Sequence, residues 1–196
     1  MDPQSIPPIP VIWSLDAADS CGLSGLPLDM RICQNLGVHP CTVALAQIVG
    51  PASHQRLRLA EEDCVGAELE SLARDFPPAL IKLGLLPSVA VVHLIADMLE
   101  DYQGLVVYDP VFSFAGGLFK LDRNLWELIR RRILPRVDVF TPTCKQLASV
   151  SGARLEHYED IEVATEKMLM HGASSLLVKA GQLVGDPRYR EDYHHG

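Results

Sequence analysis

Apolar residues along this chain come in two rhythms that take turns. Short, almost unbroken runs rich in Val, Ile and Leu read as strands: PVIWSLD (10–16), HPCTVALAQIVG (39–50), PALIKLGLL (78–86), LVVY (105–108), ended by Asp109 and Pro110, RVDVFTP (136–142) and SSLLVKAG (174–181). Longer stretches with a helical period separate them. The first closes near Gly37, a second covers 65–76 after a polar stretch, and a third covers 87–104 with Val92, Ile95, Ala96 and Leu99 on one face. A fourth starts at Asp122, and two more cover roughly 143–151 and 159–171. Strands without polar alternation belong inside parallel sheets that helices cover on both faces. The pattern therefore predicts an α/β fold, a three-layer αβα arrangement with a mainly parallel central sheet.

Composition narrows this without changing it. The 196 residues suit a single domain spanning 1–196, with the proline-rich MDPQSIPPIP as an extended lead-in and not a signal peptide. Apolar runs break off well short of a membrane span. A formal net charge of −8 argues against nucleic acid or an anionic membrane as partner. The local exception, 130-RRRILPR-136, falls in the last turn of the helix from Asp122 and reads as its solvated end. Five cysteines with no CxxC spacing point to reduced thiols in a cytoplasmic protein and not to structural zinc. His194 and His195 read as a disordered tail.

The candidate chemistry appears when the strand ends are lined up. They carry Asp16 and the loop 19-DSCGLSGLPLD-29, then Gln47, Lys82-Leu83-Gly84, Asp109, Thr141-Pro142-Thr143 and Lys179-Ala180-Gly181. In a parallel sheet these ends share one edge, the edge at which open α/β sheets bind ligands. Glycines permit close approach of backbone to ligand, a lysine offers a point charge to phosphate, and an aspartate can hold a hydrated Mg²⁺. For Lys82 the plain expectation is an outward surface charge. Gln47, set in an apolar strand, is expected to be a buried amide in need of a partner. No GxGxxG or GxxxxGK[ST] run is present, so neither of those phosphate-binding loops is predicted.

These residues resemble the hydroxymethylpyrimidine/phosphomethylpyrimidine kinases of thiamine biosynthesis, a branch of the ribokinase-like fold. The likeness runs in order from about Val11 to Leu183 through 19-DSCGLSGLPLD-29, 36-LGVHPCTVALAQ-47, 82-KLGLL-86, 108-YDPV-111 and 178-VKAGQL-183. The family's version of the first is D-S-S-G-G-A-G-I-Q-A-D. The resemblance implies ATP and Mg²⁺ as cofactors and a small pyrimidine as substrate, and it admits a homodimer. It implies a ring pocket lined by Ala17, Asp29, Gln47, Leu85 and Val111, with Asp109 in the metal and phosphate region and Lys179 on the nucleotide phosphates.

Two departures qualify it. Family members carry Asn-x-x-Glu after the strand ending in TP, where this chain has 143-TCKQ-146, so Gln146 stands at the metal-organising position as a neutral amide. The family also continues into a Gly-Thr-Gly-Cys-type anion-hole loop, whereas this sequence stops at DPRYREDYHHG. The fold is thus expected to be incomplete at the C-terminus, either as part of a longer kinase or as a shortened form. Three functions stay open: a pyrimidine kinase, a non-catalytic pyrimidine-binding relative, and a kinase of another vitamin ring such as pyridoxal.

Overall fold

The computed structural model describes residues 9–50, 55–114, 118–155, 157–179 and 193–195, with no account of the side chains of 158 and 193–195. The expected lead-in over 1–8 and the pair Ala180-Gly181 lie outside these residues. Among the described residues eight strands form one sheet in the order β3-β2-β1-β4-β5-β6-β7-β8. The six central ones, β1 (Val11–Asp19), β2 (His39–Val49), β4 (Leu80–Leu83), β5 (Leu105–Tyr108), β6 (Val139–Phe140) and β7 (Ser175–Val178), run parallel. The expected α/β fold with a mainly parallel sheet is present.

Direction of travel decides which helix covers which face. Chain order takes α1 (Gly25–Asn35) from β1 out to β2, whereas every later crossover moves back past β1 toward β7. Right-handed crossovers made in opposite directions put their helices on opposite faces. Accordingly α2 (Glu62–Asp75), α3 (Val89–Glu100), α4 (Arg123–Arg132), α5 (Cys144–Ser151) and α6 (Tyr158–Leu169) share one large core with Trp13, Leu15, Ile81, Leu83, Val106 and Phe140. The buried residues of α1, Leu26 and Cys33, stand outside that cluster.

The strands β4 to β7 are less buried than their composition suggests. Ile81, Leu83, Val106, Tyr108, Leu176 and Val178 are buried, while their alternate neighbours Lys82, Val107 and Leu177 are only half-buried and Leu105 is exposed. One face packs on α2–α6, and α1 packs on β1 and β2.

Local chemistry accounts for the helix ends. Ser88 Oγ accepts the Val91 N–H to start α3, which buries Val91, Val92, Ile95, Ala96 and Leu99 on one face. Asp122 Oδ1 does the same for Leu125 at 2.8 Å to start α4. The arginines at the end of α4 are more than a solvated terminus. Arg132 reaches Asp97 at 2.6 Å and Glu100 at 3.2 Å on α3, and Arg130 pairs with Glu127 at 2.7 Å.

Sequence pattern and structure part in four places. The first strand continues beyond Asp16 to Asp19 through a register shift between Asp16 and Ala17, which keeps it paired with Ala46–Ile48. The polar stretch before α2 contains β3 (Arg56–Leu59), an antiparallel edge strand whose RLRL alternation is too short to stand out. His194 and His195 belong to β8 (Tyr193–His195), antiparallel to β7, and not to a loose tail. The run 136–142 shrinks to Val139–Phe140 because the Asp138 carboxylate takes the Val106 N–H at 2.8 Å and a 3₁₀ turn covers Leu134–Arg136.

Removing the cap of α4 tests this reading. Asp122→Ala is expected to lower the unfolding free energy by about 1 kcal/mol, seen as a lower urea midpoint at unchanged m-value.

Candidate functional site

Strand parity explains the first half of the site. On β1 and β4, Trp13, Leu15, Ile81 and Leu83 face the large core, so Ser14, Asp16 and Lys82 face α1. There Lys82 Nζ donates to Asp16 Oδ2 at 2.8 Å and to Asp29 Oδ2 on α1 at 2.7 Å. Ser14 Oγ donates to the same Asp29 oxygen at 2.6 Å. Asp16 Oδ1 accepts two backbone N–H groups, from Ala17 at 2.7 Å and from Leu85 at 2.9 Å. Lys82 is therefore not an outward surface charge: its side chain is 19% exposed and sits between two carboxylates. Burial alone would favour its neutral form, but Asp16 and Asp29 outweigh it and hold the pKa above the ordinary lysine value.

Gly84 makes the arrangement possible. A Cβ there would lie 1.9 Å from Asp16 Oδ2, inside the carboxylate. Gly25, at φ +58°, comes equally close to the other side of the turn, where a Cβ would meet the Ala17 carbonyl oxygen at 2.2 Å. Between them the loop after β1 is drawn tight. Asp19 accepts the Cys21 N–H and the Ser24 hydroxyl, both at 3.0 Å, and the Cys21 bond above all lowers its pKa.

The residues expected to line a ring pocket divide into groups. Ala17 and Leu85 are buried together with Ala46 and Ile48, and Val111 packs against them along with Phe114 and Phe119. Gln47 does not join this cluster. It lies exposed between buried Ala46 and Ile48, so the buried amide expected from the sequence is instead at the rim of a cavity of about 350 Å³ shared with Ala18, Asp19, Gly22 and Val49. Asp29 lies beneath the turn, in the ion triad.

The second half of the site forms at the ends of β5, β6 and β7. Asp109 Oδ1 accepts from Lys179 Nζ at 2.5 Å and from Thr141 Oγ1 at 3.1 Å. Both charged side chains stay about 40% exposed, open to an incoming anion. Pro110, which ends the β5 run, is held by α5: Gln146 Nε2 donates to its carbonyl at 2.6 Å, and Gln146 Oε1 accepts the Thr143 N–H at 2.7 Å. The amide at the metal-organising position is thus engaged as a helix-capping and loop-holding group. Among the described residues no group of three or more His, Cys, Asp or Glu could hold a metal ion. A larger cleft of about 740 Å³ is lined by Phe112, Phe114 and Phe119 with residues of α4 and α5, among them Gln146.

A family model described as phosphomethylpyrimidine kinase matches residues 19–195. The chain belongs to that family. It is 29% identical over 185 residues to the hydroxymethylpyrimidine/phosphomethylpyrimidine kinase of Streptomyces coelicolor, covering 92% of this chain and 68% of the relative. It is 30% identical over 176 residues to a putative pyridoxine kinase of Treponema pallidum, covering 87% and 65%. The phosphomethylpyrimidine kinase structure from Clostridium difficile superimposes with a TM-score of 0.84 at 22% identity over 96% of this chain and 80% of that one, which establishes the ribokinase-like fold. The chain spans 35% of the length of the Arabidopsis thaliana thiamine biosynthetic bifunctional enzyme that it also matches. Of the signals in this phosphomethylpyrimidine kinase relative, sequence reasoning missed the Asp16–Lys82–Asp29 triad, although the parity of 14, 16 and 82 against the core residues 13, 15, 81 and 83 carries it.

Two outcomes check this geometry. Gly84→Ala is expected to destabilise the fold strongly, and adding Asp16→Ala to recover part of the loss, because the second change clears the carboxylate from the new methyl; thermal unfolding of the single and double variants decides. Lys82→Met leaves two facing carboxylates and is expected to cost on the order of 3 kcal/mol. Since its folded-state pKa is raised, the stabilisation from Lys82 is complete below the unfolded value of about 10.4 and disappears as pH rises through the folded value, so the gap between wild type and Lys82→Met should close only in strong alkali.

Proposed function

We propose that this protein carries out, or carries the ring- and phosphate-facing part of, ATP-dependent phosphorylation of the hydroxymethyl group of 4-amino-5-hydroxymethyl-2-methylpyrimidine or its phosphate in thiamine biosynthesis. The observation that carries the reading is the delivery of two unlike surfaces to one sheet edge. An apolar cluster of Ala17, Leu85 and Val111 forms around the ends of β1 and β4, and a half-exposed Lys179–Asp109 pair at the ends of β5 and β7. The family and the kinase relatives favour the same activity.

In this reading Ala17, Leu85 and Val111 hold the flat ring, while Gln47 at the cavity rim and Asp29 beneath it supply the polar partners of an aminopyrimidine edge. Lys179 meets the nucleotide phosphates. The hydroxymethyl oxygen, or for the monophosphate one of its phosphate oxygens, attacks the terminal phosphorus of ATP as the bond to the leaving ADP breaks, and the hydroxyl proton, where there is one, passes to a base. Such transfers depend mostly on positioning and charge neutralisation, which a lysine at the strand edge supplies in part. A single carboxylate suits a Mg²⁺ that arrives on the nucleotide phosphates with much of its water, not one caged by protein, and Asp109 would hold it. When bound, that ion would neutralise phosphate charge. Gln146 adds no charge toward it. Cytoplasmic location, a single domain and homodimer formation, with no nucleic acid or membrane partner, belong to the same proposal.

A second reading keeps the chemistry and changes the ring. Likeness to the Treponema pallidum putative pyridoxine kinase favours a pyridoxal-like substrate. Under a third, the chain binds a pyrimidine without turning it over.

The test measures ATP-dependent phosphorylation of hydroxymethylpyrimidine and pyridoxal by the purified chain. Turnover on the pyrimidine is expected, with kcat/KM lowered about tenfold to a hundredfold in Lys179→Ala and in Asp109→Ala. Turnover on pyridoxal alone would transfer the assignment to the second reading. Ring binding without turnover on either would transfer it to the third.

A further inference from the structure

The Asp16 carboxylate holds two backbone groups that are distant in sequence, those of Ala17 and Leu85, and both belong to walls of the apolar cluster. Its Oδ1 accepts the Ala17 N–H at 2.7 Å and the Leu85 N–H at 2.9 Å. Ala17 and Leu85 are the two buried residues that the ends of β1 and β4 contribute to that cluster. The register shift between Asp16 and Ala17 lets the carboxylate stay on the α1 side while Ala17 joins Leu85. A single oxygen atom thus bridges the two walls.

That oxygen is itself fixed from behind. Lys82 Nζ takes the other carboxylate oxygen at 2.8 Å and is tied to α1 through Asp29 at 2.7 Å. Gly84 removes the one side-chain carbon that would push Asp16 away. A salt bridge whose task was only to seat α1 on the sheet would need Lys82 and Asp29, with no bond to either wall. The bonds from Asp16 to both walls go beyond that requirement.

We propose that Asp16 is a positioning residue of the ring pocket, with Lys82 as its support: the carboxylate spaces the Ala17 and Leu85 walls and so governs ring affinity without touching the ring. The ring in question is the one named in the proposed function, on which this inference rests. An asparagine at position 16 cannot do the same work. Its one carbonyl oxygen can serve the two N–H groups or the ammonium, and in either orientation its NH₂ group confronts a donor.

The experiment measures, by titration calorimetry, the binding of hydroxymethylpyrimidine and of a non-hydrolysable ATP analogue to wild type, Asp16→Asn and Ser14→Ala. Amide hydrogen exchange at Ala17 and Leu85 is followed on the same samples. Ser14 hydrogen-bonds to Asp29 within the same cluster but touches neither wall, so Ser14→Ala reports the effect of loosening the cluster. In Asp16→Asn the ring is expected to bind about tenfold to a hundredfold more weakly, with analogue affinity within about twofold of wild type and exchange faster at both amides. Ser14→Ala is expected to lower the melting temperature and to weaken ring binding far less than Asp16→Asn does, any loss coming through its partner Asp29. Should Asp16→Asn not fold, Asp16→Glu keeps the charge and displaces the oxygen by one methylene, and the same loss confined to the ring is expected. Ring affinity equal to wild type in a folded Asp16 variant would overturn the proposal, and so would equal loss of ring and analogue. If wild type itself binds no ring, the proposed function falls separately. Exchange then decides the spacing role: acceleration at both amides in Asp16→Asn but not in Ser14→Ala upholds it, and unchanged exchange overturns it.

Discussion

A strand that buries every second residue must do something with the others, and in β1 and β4 the solution is a charge cluster. Trp13, Leu15, Ile81 and Leu83 commit one face to the large core, which leaves Ser14, Asp16 and Lys82 against α1. Three ionisable groups in so sheltered a place are tolerable only when each is matched. Here Lys82 meets both carboxylates, Asp29 also receives the Ser14 hydroxyl, and Asp16 receives two backbone N–H groups. The position of α1, the tight turn after β1 and the path of the chain after β4 all follow from that matching.

The opposite end of the site is built on another principle. Asp109 and Lys179 form a half-exposed pair at the strand ends, and pairs in that setting contribute about 0–1 kcal/mol to folding. What is firm there is the backbone. Gln146 holds the Pro110 carbonyl with one end of its amide and the start of α5 with the other, while Thr141 steadies the Asp109 carboxylate. A residue with no charge to offer a metal still fixes the loop that carries the aspartate.

Much of the fold could be read in the sequence because hydrophobic period is a local property. All six parallel strands and all six helices were legible in outline, and Ser88 and Asp122 cap their helices as residues of that kind do. What was lost was set by pairing across the sheet. The strand β3 has four residues and β8 three, too few for a pattern, and the extension of β1 past Asp16 depends on where β2 lies. The same holds for the site. Motif order put Ala17, Asp29, Gln47, Leu85 and Val111 in one group, of which Ala17, Leu85 and Val111 pack together, and Asp109 with Lys179, which pair. The side on which Lys82 and Gln47 emerge depended on register, which counting along one strand does not supply unless the neighbouring core residues are counted with it.

The contrast between the two ends bears on how such a site can discriminate. A ring pocket selects by shape, and selection by shape requires walls whose separation does not drift. Bonds from one sheltered carboxylate to Ala17 and Leu85 meet that requirement, since breaking either would strand a buried donor. Phosphate is recognised by charge, which tolerates displacement, and its groups must release a product as well as hold a substrate. An exposed ammonium lightly held by a carboxylate suits that role, because exchanging one anion for another costs little where water already screens both. On the proposed reading, the stiffest polar contacts lie at the ring end, where geometry must discriminate, and the loosest at the phosphate end, where charge must pass.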